Sequence, residues 1–356
     1  MILNHYLKIT RFKAVFAMRK TFYLILLLLV SFYSYLNAQS DQKYYLISSL
    51  KLESGQTLED CKIGYRTYGT INNDSSNVIL YCSWFGGNSE SIGTLINKYK
   101  FIDTTKYFII AADALGNGIS SSISNSTAPD SVFYSLTISD MVKTNYMLLT
   151  EHFNLKKIFA AIGGSMGSMQ VFQMAVTYPD FAEKIIAYVA TPRLTSSDLL
   201  WMNTQLSIIE SSLECGMSER EVKRLSDMLT ANYARTPDYV TKDIDLSEFS
   251  AYLNSFDKEP NKVFTLQNYL TQLKAMMTHD IAKQTNGSME DAAKLIQAKL
   301  FIIVSKSDLM VNPTEAINLA KLTSSKLLIL ENNCGHLAVT CEIDRVREEI
   351  AKFLSE

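Results

Sequence analysis

Along the chain, short apolar runs alternate with stretches in which apolar residues recur every three or four positions. Runs at residues 44–48, 62–68, 77–83, 107–112, 158–162, 185–190, 300–304 and 327–330 have the length of strands. Most of the later ones are uninterrupted apolar runs, the pattern of parallel strands covered on both faces. Helical periodicity falls between them at 138–153, 166–178, 313–322 and 343–354. Strands alternating with helices predict a doubly wound, mostly parallel α/β sheet. The first two strand candidates have no helix between them, so they are expected to pair antiparallel at one edge.

The alternation stops between about residues 195 and 297. That stretch predicts helices at 199–215, 219–233, 245–256, 267–279 and 289–298, with no strand among them. Met202, Met217, Met228, Met276, Met277 and Met289 lie in it. Methionine fills irregular apolar surface, so a helical core accounts for them more simply than a ligand groove. The stretch reads as a helical cap, 195–297, inserted into a core formed by 39–194 and 298–356.

The N-terminus follows another pattern. Met18-Arg19-Lys20 precedes an apolar run at 21–33, and Leu36-Asn37-Ala38 follows before the polar Gln39. This order predicts a secretory signal at 1–38, cleaved near Ala38. The run is shorter than the ~20 apolar residues of a bilayer span. The expectation is therefore an exported protein, periplasmic or secreted, with no stable membrane span after cleavage; an uncleaved anchor is the alternative. Met18 is a second candidate start.

Composition changes the picture little. The 356 residues include 47% apolar and 20% charged residues, with 34 Lys+Arg against 36 Asp+Glu. These values exclude a disordered or collagenous chain. The formal charge of −2 gives no long-range attraction to nucleic acid, and losing the five cations of 1–38 moves it to −7. The five cysteines, Cys61, Cys82, Cys215, Cys334 and Cys341, fit no metal spacing, and a disulfide among them would suit export.

The chemistry concentrates where the run at 158–162 enters Gly163-Gly164-Ser165-Met166-Gly167 and a helical pattern follows at once. Strand, G-x-S-x-G and helix in that order form a nucleophile elbow. The turn is tight, so side chains at its glycines would clash while the serine is lifted to the carboxyl end of the sheet. Of the four histidines, His5 falls in the signal region, His152 precedes the elbow strand, and His279 lies in the predicted cap. His336 follows the last strand candidate, where such a fold delivers its base. Asp308 follows the preceding strand, whereas Asp344 falls in the final helix. The order Ser165, Asp308, His336 is that of the α/β-hydrolase fold, with serine as nucleophile, histidine as base and aspartate orienting it. The amide of Met166 is the expected first oxyanion donor. The second is the amide of Trp84 or Phe85 in the Gly-rich loop 84–88, where Trp84 could instead line an acyl pocket.

These motifs carry a resemblance. Gly163-Gly164-Ser165-Met166-Gly167-Ser168-Met169-Gln170, continuing to Ala175-Val176-Thr177-Tyr178-Pro179-Asp180, is similar to the elbow of the homoserine O-acetyltransferases. Ala114-Leu115-Gly116-Asn117-Gly118 and Thr137-Ile138-Ser139-Asp140-Met141-Val142 resemble further segments of that family. The resemblance covers about 60–193 and 298–355, leaving the cap unmatched. It implies acyl transfer through Ser165, with acetyl-CoA as co-substrate if the acceptor is homoserine. The family carries Asp directly after its catalytic histidine, where this chain has Leu337. Arg193, Arg220, Arg224 and Arg235 are candidates for a substrate carboxylate, none within a matching motif.

The leading expectation is an exported serine hydrolase acting on a small-molecule acyl substrate, without cofactor, metal or nucleic-acid partner. Acyl transfer from acetyl-CoA is the first alternative, and a non-catalytic binding module on the same fold is the second. A homodimer is compatible with all three.

Overall fold

The computed structural model describes residues 41–356, so the expected signal segment lies outside the described residues. The sheet begins with β1 (Lys43–Lys51) and β2 (Thr57–Tyr68), paired antiparallel as expected from the missing helix between them. β3 (Val78–Cys82) is followed by helix α1 (Ser89–Tyr99) and then β4 (Phe108–Ala112). The strand order is β1-β2-β4-β3, then β5 (Ile158–Gly164), β6 (Ala182–Tyr188), β7 (Lys299–Ser305) and β8 (Lys326–Leu330). From β4 onward every pairing is parallel.

The apolar runs are uninterrupted because both faces are covered. Val78, Leu80 and Cys82 of β3 face one buried cluster, while Ile79 and Tyr81 face the other. Leu300, Ile302 and Val304 of β7 alternate with Phe301 and Ile303 in the same way. On the first face lie α2 (Asp130–Tyr134), α3 (Ile138–Met147) and α4 (Met166–Thr177), which begins at the elbow. The predicted helix at 138–153 is α3 continued by a π-helical turn, Leu148–His152.

Between β6 and β7 the chain is helical. It forms α5 (Ser196–Glu214), α6 (Glu219–Ala234), α7 (Pro237–Asp243), α8 (Phe249–Asn254), α9 (Leu266–Met277) and α10 (Met289–Leu295). The single helix predicted at 245–256 is instead α8 preceded by a short 3-10 turn, Leu246–Glu248, because Asp245 caps that turn by accepting from Ser247 N. α7 went unpredicted although Thr236 and Pro237 make a good helix start.

After β7 come α11 (Thr314–Leu322), β8, the short α12 (Ala338–Cys341) and α13 (Ile343–Ser355). Val346, Ile350, Phe353 and Leu354 of α13 form the stripe that closes the second face. Its last carbonyls, Phe353 and Leu354, accept from Lys184 Nζ at 3.2 and 2.8 Å, placing a cation at the negative helix end. A disulfide joins Cys334 to Cys341. Among the described residues, no helix is long and apolar enough to cross a membrane.

β3 is the switch point, since the chain leaves it toward β4 on one side and returns as β5 on the other. The crevice beyond the carboxyl ends of strands at such a point is where ligands bind in open α/β sheets. Cys82 lies level with Gly163, and Gly164 with Tyr188, so the ends of β3, β5 and β6 meet there.

Candidate active site

Ser165 sits between β5 and α4 with φ 53° and ψ −124°, a conformation costly for any residue with a Cβ. Its neighbours explain why the turn tolerates little else. A Cβ on Gly163 would lie 2.2 Å from the carbonyl oxygen of Gly167, and one on Gly167 2.6 Å from that of Cys82. Gly164 is equally constrained, because the Tyr188 ring would be 2.0 Å from its Cβ. The Ser165 N–H donates to Tyr188 O at 3.0 Å, and Ser168 Oγ donates to Ser165 O at 2.6 Å, holding the turn.

β7 and β8 bring the other two residues to this turn. Ser305 is level with Leu330, so the loops after both strands run side by side. Asp308 Oδ1 accepts the N–H groups of Met310 and Val311, both at 2.9 Å, which fixes the carboxylate plane. Its Oδ2 accepts from His336 Nδ1 at 2.7 Å, and its side chain is 1% exposed. A proton on Nδ1 leaves His336 Nε2 as an acceptor, and Ser165 Oγ donates to it at 3.0 Å. Serine, histidine and aspartate thus form one hydrogen-bonded chain, assembled from residues 165, 336 and 308.

The remaining candidates fall elsewhere. His152 Nε2 shares a hydrogen bond with Tyr65 Oη at 2.6 Å. His279 is buried within the helical insert, just after α9, and burial lowers its pKa to about 3. Asp344 pairs with Arg347 on the exposed side of α13. Of the candidate arginines, Arg193 pairs with Asp280 and Glu315, Arg220 with Asp257 and Glu259, and Arg235 with Asp243. Arg224 Nε is buried without a hydrogen-bond partner, and none of the four lines the cavity at Ser165.

Met166 is the first residue of α4, so its amide has no intrahelical acceptor. Trp84 and Phe85 follow β3, and their side chains line the same cavity as Ser165 and His336. The Gly86 amide donates to Gln272 Oε1 at 2.9 Å. The cavity, about 380 Å³, also takes in Leu95, Phe101, Tyr188, Leu337, Val339 and Ile343, and no lining residue carries a formal charge. Among the described residues, no group of three or more His, Cys, Asp or Glu is placed to hold a metal ion.

Supporting residues escaped the sequence reading. Buried Asp113 accepts from Ser89 N at 2.6 Å, Ser89 Oγ at 2.9 Å and Asn117 Nδ2 at 3.2 Å, while Asn117 Nδ2 also donates to Gly87 O. Burial raises the Asp113 carboxyl pKa, and these donors oppose the rise. Ser307 Oγ donates to Asn332 O and accepts from Gly335 N, tying the Asp308 loop to the His336 loop. Asp198, at the start of α5, accepts from Asn312 N at 2.8 Å and steadies the far side of the Asp308 loop. Of these, only the Asp198 capping pattern, Thr195-x-x-Asp198, has a local sequence signal.

The eight-stranded sheet with a serine elbow and inserted helices defines an α/β hydrolase. The family described as alpha/beta hydrolase fold matches residues 77–340, and the chain belongs to it. It is similar to a homoserine O-acetyltransferase from Methanosalsum zhilinae, 29% identical over 365 residues, covering 88% of this chain and 72% of that protein. It is also similar to an ethyl acetate hydrolase from Pseudomonas veronii, 27% identical over 331 residues, covering 87% and 94% respectively. The solved structure of an acetylester hydrolase from Corynebacterium glutamicum matches with a TM-score of 0.76 at 27% identity, covering 90% of this chain and 97% of that one. The chain is therefore an α/β-hydrolase enzyme of the hydrolase and acyltransferase kind, in keeping with the resemblance read at its elbow.

Proposed function

We propose that the chain is an exported serine esterase that cleaves small-molecule esters through an acyl-Ser165 intermediate. The observation that carries this reading is the hydrogen-bonded chain from Ser165 Oγ through His336 to Asp308, opening on an uncharged pocket. Ser165 Oγ attacks the ester carbonyl while His336 Nε2 takes its proton, and Asp308 stabilises the imidazolium. The carbonyl oxygen, now negative, is held by the amide of Met166 and by that of Trp84 or Phe85. Collapse breaks the bond to the alcohol, which leaves with the proton from His336. Water then enters, gives a proton to His336 and attacks the acyl carbon, and the acid departs as Ser165 recovers its proton.

The uncharged wall favours water over homoserine as acceptor. Leu337 stands beside the histidine where the resembling acetyltransferases carry Asp, leaving no counter-charge for an amino group. The Cys334–Cys341 disulfide supports export, because such bonds persist in oxidising compartments. Ser165→Ala should remove ester hydrolysis and fluorophosphonate labelling together, and retention of either would end the esterase reading. The acyltransferase reading draws on the 29% identity to a homoserine O-acetyltransferase. It predicts homoserine-dependent release of free CoA from acetyl-CoA, and release no faster than in the water blank counts against it. Cell fractionation with N-terminal sequencing tests export, with Gln39 the expected first residue.

A further inference from the structure

Resting on the esterase reading, we infer that the preferred esters carry an aliphatic chain of medium length rather than only short groups. The cavity extends from the elbow, at Gly164 and Ser165, to Leu95 on α1, Phe101 beyond it and Ile343 at the start of α13. Its volume of about 380 Å³ lies within the ~300–1,000 Å³ range of pockets that enclose most of a ligand's surface. An acetyl group would leave most of this space unfilled.

The wall has little to offer a polar substituent. Tyr188 Oη pairs with Tyr81 Oη at 2.7 Å, directed into the protein. Thr230 Oγ1 donates to Ser226 O at 2.9 Å, and Thr340 Oγ1 to Leu337 O at 2.7 Å. The rest of the lining is largely apolar, Trp84, Leu95, Phe101, Val339 and Ile343 among it, and methylene groups gain by leaving water against it. Each methylene accepted should raise kcat/KM by about fourfold until the chain reaches the far wall. The same wall would serve the acyl or the alcohol chain of the ester, since both radiate from the carbon bonded to Ser165 Oγ.

Two substrate series separate these sources: p-nitrophenyl esters from acetate to decanoate, and acetate esters of alcohols from ethanol to decanol. A rise in kcat/KM from acetate toward hexanoate assigns the wall to the acyl chain, and a rise only in the second series assigns it to the alcohol. Leu95→Trp, which fills the pocket from α1, should lower the ratio of long-chain to short-chain kcat/KM by about tenfold or more. Leu95→Ala should shift the optimum to longer chains and serves if the bulky variant does not fold. Ser165-dependent turnover that falls with every added carbon in both series overturns the inference and leaves the esterase reading intact. Absence of Ser165-dependent turnover at every length removes the esterase reading itself.

Discussion

Gln272 accepts the Gly86 N–H through Oε1 at 2.9 Å and donates through Nε2 to Leu115 O at 3.1 Å. One fully buried side chain of the insert therefore ties together the loops that follow β3 and β4. The first of those loops carries Trp84 and Phe85, the proposed sources of the second oxyanion donor. Gln272→Leu would strand the Gly86 N–H and the Leu115 carbonyl, an effect of about 1–3 kcal/mol. Part of that cost should appear as misplacement of the loop, lowering kcat by about tenfold with KM little changed. Steady-state kinetics beside a thermal melt distinguish this from simple destabilisation, which would lower the melting temperature without altering kcat per folded molecule.

Asp308 holds His336 with one oxygen while two backbone amides hold the other. In Asp308→Asn the amide oxygen can still accept from Met310 and Val311, so the loop should keep its place. The amide nitrogen then faces His336 Nδ1 and favours the tautomer that cannot take a proton from Ser165. Turnover should fall by about 10³–10⁴-fold while the melting temperature changes by only a few degrees. A loss smaller than tenfold would mean that Asp308 does not orient the histidine during turnover.

The contrast between Ser165 and Gln272 shows what a sequence reading reaches. The strands were legible because burial on both faces leaves uninterrupted apolar runs, and the elbow because close packing forces glycine at Gly163 and Gly167. Asp308 and His336 could be placed because each follows a recognisable strand. Gln272 has no such signal: Gly86 lies 186 residues away, and one glutamine inside a helix resembles any other. Helix α1 was missed for a related reason. Its sequence, Ser89–Tyr99, is mostly polar, with Ile92 and Ile96 marking its buried stripe and Gly93 admitting the Tyr68 hydroxyl.

The Cys334–Cys341 bond encloses the segment that carries His336 together with Val339 and Thr340 of the pocket. Closing a loop this short restricts the unfolded chain by about 2 kcal/mol. Cys341→Ala, or reduction of the wild type with dithiothreitol, should lower the melting temperature by about 2–5 °C. Activity should fall in parallel, because the backbone around His336 gains freedom. Reductant should have no further effect on the variant, and an effect equal to that on the wild type would assign the change to another site.

His279 provides a separate test through pH. The residue is 4% exposed, and desolvation lowers its pKa to about 3, so it is neutral in the folded protein at neutral pH. Once unfolded, the imidazole regains a pKa of about 6.5 and takes up a proton below that value. Between pH 6.5 and 3 the unfolded state binds more protons at this site, so stability must decline as pH falls through the window. The contribution approaches ~1.4 kcal/mol per pH unit well inside it and about 5 kcal/mol in all. His279→Phe keeps a planar ring of similar girth and removes the titration. Urea unfolding at pH 7 and pH 4.5 should show a smaller loss of stability for the variant than for the wild type, by about 2 kcal/mol. Equal losses in the two proteins would show that His279 does not supply this acid sensitivity.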